Sequence, residues 1–150
     1  MKQTYLDTIL LIERLHRRFL DVVKTELDRL RVDDINNVQT LILYNIGADK
    51  LTVGELTNRG YYLGTNVSYN VKNLVESGYL VQEKAPHDKR STRVSVSEKG
   101  LKLVAMLDAL FEKNVADIEK ISPNLTLLSD TNKNMHQLER YWTDYINRLH

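Results

Sequence analysis

The stretch LTVGELTNRGYYLGTNVSYNVKNLVESGYLV (residues 51–81) decides the fold. Thr52 and Glu55 form a Thr-x-x-Glu capping box, so a short helix begins at Val53 and closes near Gly60. YYLG (61–64) makes a turn. A second helix follows, with Val67, Val71, Leu74 and Val75 as its buried stripe and Gly78 as its stop. Its other positions are unusual. Thr65, Asn66, Ser68, Tyr69, Asn70 and Asn73 are middling or poor helix formers, and most compete for backbone hydrogen bonds. A helix that only had to pack and stay soluble would carry Glu, Lys, Gln and Ala there.

Beyond Gly78 the pattern changes from helical to alternating. YLVQEK (79–84) and TRVSVS (92–97) read as strands, with Tyr79/Val81 and Val94/Val96 on one face. APHDKRS (85–91) between them is a hairpin tip. Two helices, a turn and a hairpin are the pattern of a winged helix-turn-helix, whose second helix presents its N-terminal half to a DNA major groove. Thr65, Asn66, Ser68, Tyr69, Asn70, Lys72 and Asn73 are then the outward candidates for base and phosphate contacts. The plainer alternative is that these side chains only cap and terminate helices, which explains Thr65 well and Asn70 or Asn73 poorly. At the wing, Lys89, Arg90, Ser91 and Arg93 are the contact candidates. A narrow minor groove attracts arginine. Asp88 is expected to brace Arg90 or Arg93.

Long helices bracket this centre. Tyr5, Ile9, Ile12, Leu15, Phe19, Val22, Val23, Leu27 and Leu30 make one stripe over the first thirty residues. VDDINNVQTLILYNIG (32–47) restarts after an acidic pair suited to capping and stops at Gly47. Ser97 caps a third long helix, Ser122-Pro123 opens a last one, and Met135, Leu138, Trp142, Tyr145, Ile146 and Leu149 share one side of the tail. These stripes exceed what a single neighbour could cover, which predicts a two-fold homodimer built from both ends; the alternative is that they fold back on their own chain.

With 150 residues, one domain is expected, and 21 Lys+Arg against 20 Asp+Glu make bulk charge silent about a polyanionic partner. The absence of cysteine removes disulfides, thiolate metal sites and thiol redox sensing. No apolar run is long enough for a membrane span, so a soluble, cytoplasmic protein is expected. His16, His87, His136 and His150 are scattered, with no metal-ligand spacing, and no phosphate loop or nucleophile elbow occurs. An enzyme is therefore not expected, nor a metal or other cofactor.

The 51–100 segment, and within it Asp88-x-Arg90 followed by VSVSEKG (94–100), resembles the multiple antibiotic resistance regulator (MarR) family of bacterial transcription factors, and the resemblance covers essentially the whole chain. It implies a mainly α fold with a small β-hairpin wing, a winged helix-turn-helix flanked by long dimerisation helices. On that pattern, residues 1–150 are one domain, with 1–31 and 122–150 dimerising, 34–100 forming the winged helix-turn-helix and 98–121 connecting them. It implies a homodimer on a pseudo-palindromic operator in double-stranded DNA, repression by default, Arg90 in the minor groove and Asp88 holding the wing. It also implies a small, often aromatic effector in a crevice, pointing to His16, Thr40, Tyr44 and Tyr61. The paired tyrosines and asparagine richness of GYYLGTNVSYNVKNL (60–74) depart from commoner members, so base preference does not carry over. The competing reading is a winged-helix adaptor for protein contacts without DNA binding.

Overall fold

The computed structural model describes residues 1–60, 64–122, 124 and 128–150, with residues 64, 65 and 89 described by backbone alone. Its elements are α1 (Lys2–Arg29), α2 (Asn37–Ile46), β1 (Leu51–Thr52), α3 (Val53–Gly60), α4 (Gly64–Glu76), β2 (Leu80–Ala85), β3 (Asp88–Val96), α5 (Glu98–Ile121) and α6 (Leu128–Leu149). The chain divides into two compact units, Met1–Leu110 and Phe111–His150. Of the turn expected at 61–64, residues 61–63 lie outside the described residues, as does the proline start at Pro123, and Gly64 is the first residue of α4.

The core of the first unit is aliphatic. Ile42, Leu43 and Ile46 of α2, Leu56 of α3, Val67, Val71 and Leu74 of α4, Val94 of β3, and Leu103 and Leu107 of α5 are all buried, together with Val23 and Leu27 of α1. The inward stripe expected for α4 is thus observed, with Val75 half-buried beside it. Rows of this kind arise because residues three and four apart share a helix face. Most of the remaining α1 stripe stays in the open. Leu15, Phe19 and Val22 are 58%, 40% and 39% exposed.

Four local expectations need correction or extension. The α2 cap is Asn36, not the Asp33-Asp34 pair: the Asn36 side chain accepts from the Gln39 N–H, and the Gln39 side chain accepts from the Asn36 N–H. An amide box serves the helix start as well as a carboxylate would, and it leaves Asp34 for another bond. In the wing, Val81 faces solvent, because β2 begins at Leu80 and Tyr79 belongs to the preceding bend. A one-residue offset inverts every side chain in a strand. β3 starts earlier than expected, at Asp88, because Lys84 pairs with Thr92 while Ala85 pairs with Asp88, leaving residues 89–91 as a bulge. Finally, Leu51–Thr52 is a strand that periodicity does not reveal, pairing antiparallel with Val94 and Arg93 to give the order β1-β3-β2. Thr52 then does double duty, since its hydroxyl also caps α3 by accepting the Glu55 N–H at 3.1 Å.

The second unit holds the rest of α5 and all of α6. Among its described residues Ile121, Tyr141, Tyr145, Ile146 and Leu149 are exposed, and Met135, Leu138 and Trp142 are half-buried.

Candidate nucleic-acid interface

Packing α4 through Val67, Val71 and Leu74 turns its opposite side outward. Asn66, Ser68, Tyr69 and Lys72 are exposed, Tyr69 to 65%, and Asn70 and Asn73 are half-buried at the margins. The side chain of Thr65 lies outside the described residues. Asn70 is not purely a surface residue. Its Oδ1 accepts a 3.2 Å hydrogen bond from Nε2 of Gln39, a buried residue of α2.

The wing tip is organised by Asp88. One carboxylate oxygen accepts the backbone N–H of Arg90 at 3.0 Å and the other the Ser91 hydroxyl at 3.1 Å. Asp88, expected to brace Arg90 or Arg93, thus holds the bulge through the Arg90 main chain and the Ser91 hydroxyl. Short side chains that bond two residues ahead fix turns in this way. The Arg90 side chain is exposed, Ser91 and Arg93 are half-buried, and the side chain of Lys89 lies outside the described residues. At the base, Lys50 pairs with Glu83 at 2.9 Å, neutralising one of the two wing carboxylates.

A third cluster secures α4 to its surroundings. Gly78 turns the chain with φ +81°, and the Tyr79 hydroxyl donates to Asp34 Oδ1 at 2.8 Å. Lys99 Nζ donates to Asp34 Oδ2 and to the Ser77 carbonyl, both at 3.0 Å, and lies 4.3 Å above the Tyr79 ring. Burial would raise the Asp34 carboxyl, but the bonds from Tyr79 and Lys99 outweigh it and hold the group below its ordinary value. Burial first, then the bond to Asp34, push the Tyr79 phenol well above its own. Ser97 completes the joint, donating to the Gly78 carbonyl at 2.6 Å and accepting the Gly100 N–H at 3.2 Å. Asp34, Tyr79 and Lys99 have no periodic signature and were not expected. Asn36-x-x-Gln39 could have been found, because it is itself a capping-box pattern.

The effector candidates have separate roles. The Thr40 side chain is fully buried and its hydroxyl donates to the Asn36 carbonyl at 2.8 Å. The Tyr44 hydroxyl donates to Asp108 at 2.7 Å, a bond that, ahead of burial, raises the phenol's pKa. His16 is exposed on α1, and Tyr61 lies outside the described residues. Among the described residues no three His, Asp or Glu side chains are grouped to hold a metal ion, and no helix is long and apolar enough to cross a membrane.

Comparison with known proteins adds four findings. A family model described as the MarR family matches residues 33–91. The exopolysaccharide II synthesis transcriptional activator ExpG of Rhizobium meliloti (strain 1021) is 37% identical over 142 residues, covering 93% of this chain and 72% of the relative. Among solved structures, Staphylococcus aureus MarR in complex with salicylate and kanamycin aligns with a TM-score of 0.74 at 21% identity, over 95% of this chain and 93% of that one. Streptococcus pneumoniae FabT in complex with DNA aligns at 0.73 and 20% identity, over 92% of this chain and 99% of that one.

Proposed function

This chain belongs to the MarR family of transcriptional regulators, and on that premise we propose that it works as a homodimer reading a pseudo-palindromic operator in bacterial cytoplasmic DNA. The chain is a regulator and not an enzyme. The observation that carries the DNA reading is the outer face of α4, where Asn66, Ser68, Tyr69 and Lys72 stand exposed on a helix whose inner face is locked into the core. Hydrogen-bonding side chains on such a face can meet base edges, and Arg90, exposed on a bulge held by Asp88, is the proposed contact to phosphate or the minor groove. A protein-binding adaptor would need an apolar surface there, and Tyr69 alone does not make one.

Dimerisation is supported by the apolar side chains left in water. Segments 1–31 and 122–150 supply the surface and 34–100 the reading lobe. Burying one large side chain of the Leu15 or Tyr145 kind is favourable by roughly 1.5–3 kcal/mol, so a run of them gives ample driving force. As for sign, the relative named an activator favours activation over the repression expected from architecture alone. A small aromatic effector is consistent with the salicylate of the Staphylococcus aureus neighbour. In this chain it would compete with the Tyr44–Asp108 bond.

The test is selection of duplexes from a random pool by the purified protein, with light scattering in parallel. Enrichment of an inverted repeat by a dimer is the expected result. A monomer at micromolar concentration removes the dimer, and a pool that stays random at low salt removes the DNA reading. Salicylate titrated into the enriched complex tests the effector, which fails if affinity does not change.

A further inference from the structure

The amide of Asn70 faces Gln39 with a definite end, and that end follows from groups whose polarity is not in question. The backbone N–H of Asn36 can only donate, so the Gln39 side-chain atom that meets it at 3.0 Å is the carbonyl oxygen, Oε1. The other end of the Gln39 amide is therefore the NH2 group. It donates, so the Asn70 atom opposite it at 3.2 Å must be the acceptor, Oδ1. Gln39 is 5% exposed and pinned at both ends of its residue, because its own backbone N–H is held by the Asn36 side chain at 2.8 Å. Its amide cannot reverse without leaving a buried N–H unpaired. The Asn70 amide nitrogen has no partner among the described residues. Asn70 itself is half-buried, at the margin of the outer face of α4.

We propose that Gln39, a residue remote from any base, sets the polarity of the Asn70 amide, making Asn70 a donor-only reader of the major groove. This rests on the DNA-binding role of α4. An asparagine that pairs bidentately with adenine must accept from the base's N6 amino group and donate to N7 together. Here the oxygen such a pair needs is turned inward to Gln39. What remains outward is an NH2, which suits edges that offer acceptors: N7 and O6 of guanine, or O4 of thymine. Gln39 is a positioning residue, and Asn70 contacts the base.

The consequence can be inverted by one atom. In Gln39→Glu, one carboxylate oxygen still accepts the Asn36 N–H, as Glu does in many capping boxes, and the other now faces Asn70 as an acceptor. The Asn70 amide must turn over, donating inward and showing Oδ1 to the groove. Asn70→Asp reaches the same outward polarity without touching α2, since Gln39 continues to donate to one oxygen and the second faces out. Both variants should move the preferred base at one position of each half-site from acceptor-bearing edges to the amino groups of cytosine or adenine.

The experiment is duplex selection from a random pool with the parent, Gln39→Glu and Asn70→Asp, followed by affinity measurements on operators differing at the shifted position. The parent should favour guanine or thymine there by roughly tenfold, and each variant should reverse that order. Thermal melting checks that each variant folds; should Gln39→Glu fail to, Asn70→Asp decides. A folded variant that enriches the parent's sequence at every position overturns the proposal while leaving DNA binding intact. A parent that enriches no sequence removes the DNA reading and this inference with it.

Discussion

Replacing Tyr79 with phenylalanine isolates a single hydrogen bond within the joint behind α4. The ring is buried, and in the variant it keeps its packing and its contact with Lys99; only the hydroxyl that donates to Asp34 is lost. A hydrogen bond to a charged acceptor contributes roughly 1.5–3 kcal/mol. Asp34 retains Lys99 and regains water on deletion, so the lower end applies, about 1.5 kcal/mol. For a chain of this size that lowers Tm by roughly 3–6 °C. The pH dependence is the sharper signature. The Asp34 carboxyl is held below its ordinary value, so its contribution is present above the unfolded value near pH 4 and fades as pH falls through the folded one. The Tyr79 phenol is raised, so the unfolded chain releases that proton first, above about pH 10, and the parent loses stability there while the variant, lacking the proton, does not. The gap between the proteins should therefore form a plateau from about pH 4 to about pH 10 and close on both sides. Urea unfolding at several pH values and one fixed protein concentration measures it. A gap below about 0.5 kcal/mol at neutral pH, or one that does not vary with pH, refutes the account of the joint.

Arg90→Ala should weaken operator binding and flatten its salt dependence by roughly 0.9 in logarithmic slope for each wing that loses a phosphate contact, read from binding titrations at several salt concentrations; an unchanged slope removes the phosphate contact. Arg31 follows α1 with φ +57°, a conformation that costs a non-glycine residue about 1–2 kcal/mol, part of which glycine gives back as unfolded-state entropy. Arg31→Gly should thus stabilise the protein by about 0.5–1 kcal/mol in urea unfolding, and a loss of stability would contradict the backbone geometry. A Cβ on Gly100 would lie 2.5 Å from a Val96 methyl and 2.6 Å from the Tyr79 carbonyl oxygen, and the main chain has little room to yield, so Gly100→Ala should cost about 1–3 kcal/mol. A melting temperature equal to the parent's would show that the α5 start is not held against Tyr79.

What the sequence disclosed and what it withheld divide along the range of the forces involved. The α4 stripe, the Thr52 cap and the Ser97 cap are set by neighbours three or four residues away, so spacing reveals them. The strand offset at Leu80, the bulge at 89–91 and the β1 pairing depend on partners across the sheet, and no local period encodes them. The same distinction separates two parts of the interface. The outward residues of α4 follow from the inward ones, but the inward-turned oxygen of Asn70 depends on Gln39, 31 residues earlier. The segment VSVSEKG, which carried much of the family resemblance, has a structural reason within this chain. Ser97 fastens the Gly78 carbonyl, Lys99 joins Asp34 to Ser77, and Gly100 leaves space for Tyr79. The segment is a joint between the end of α4 and the start of α5. A helix that is to hold its outer face at one angle needs its C-terminal end anchored as firmly as its inner stripe is packed. Here that anchoring comes from polar bonds at the edge of the core, where a substitution can shift the angle of α4 without emptying any of the apolar interior.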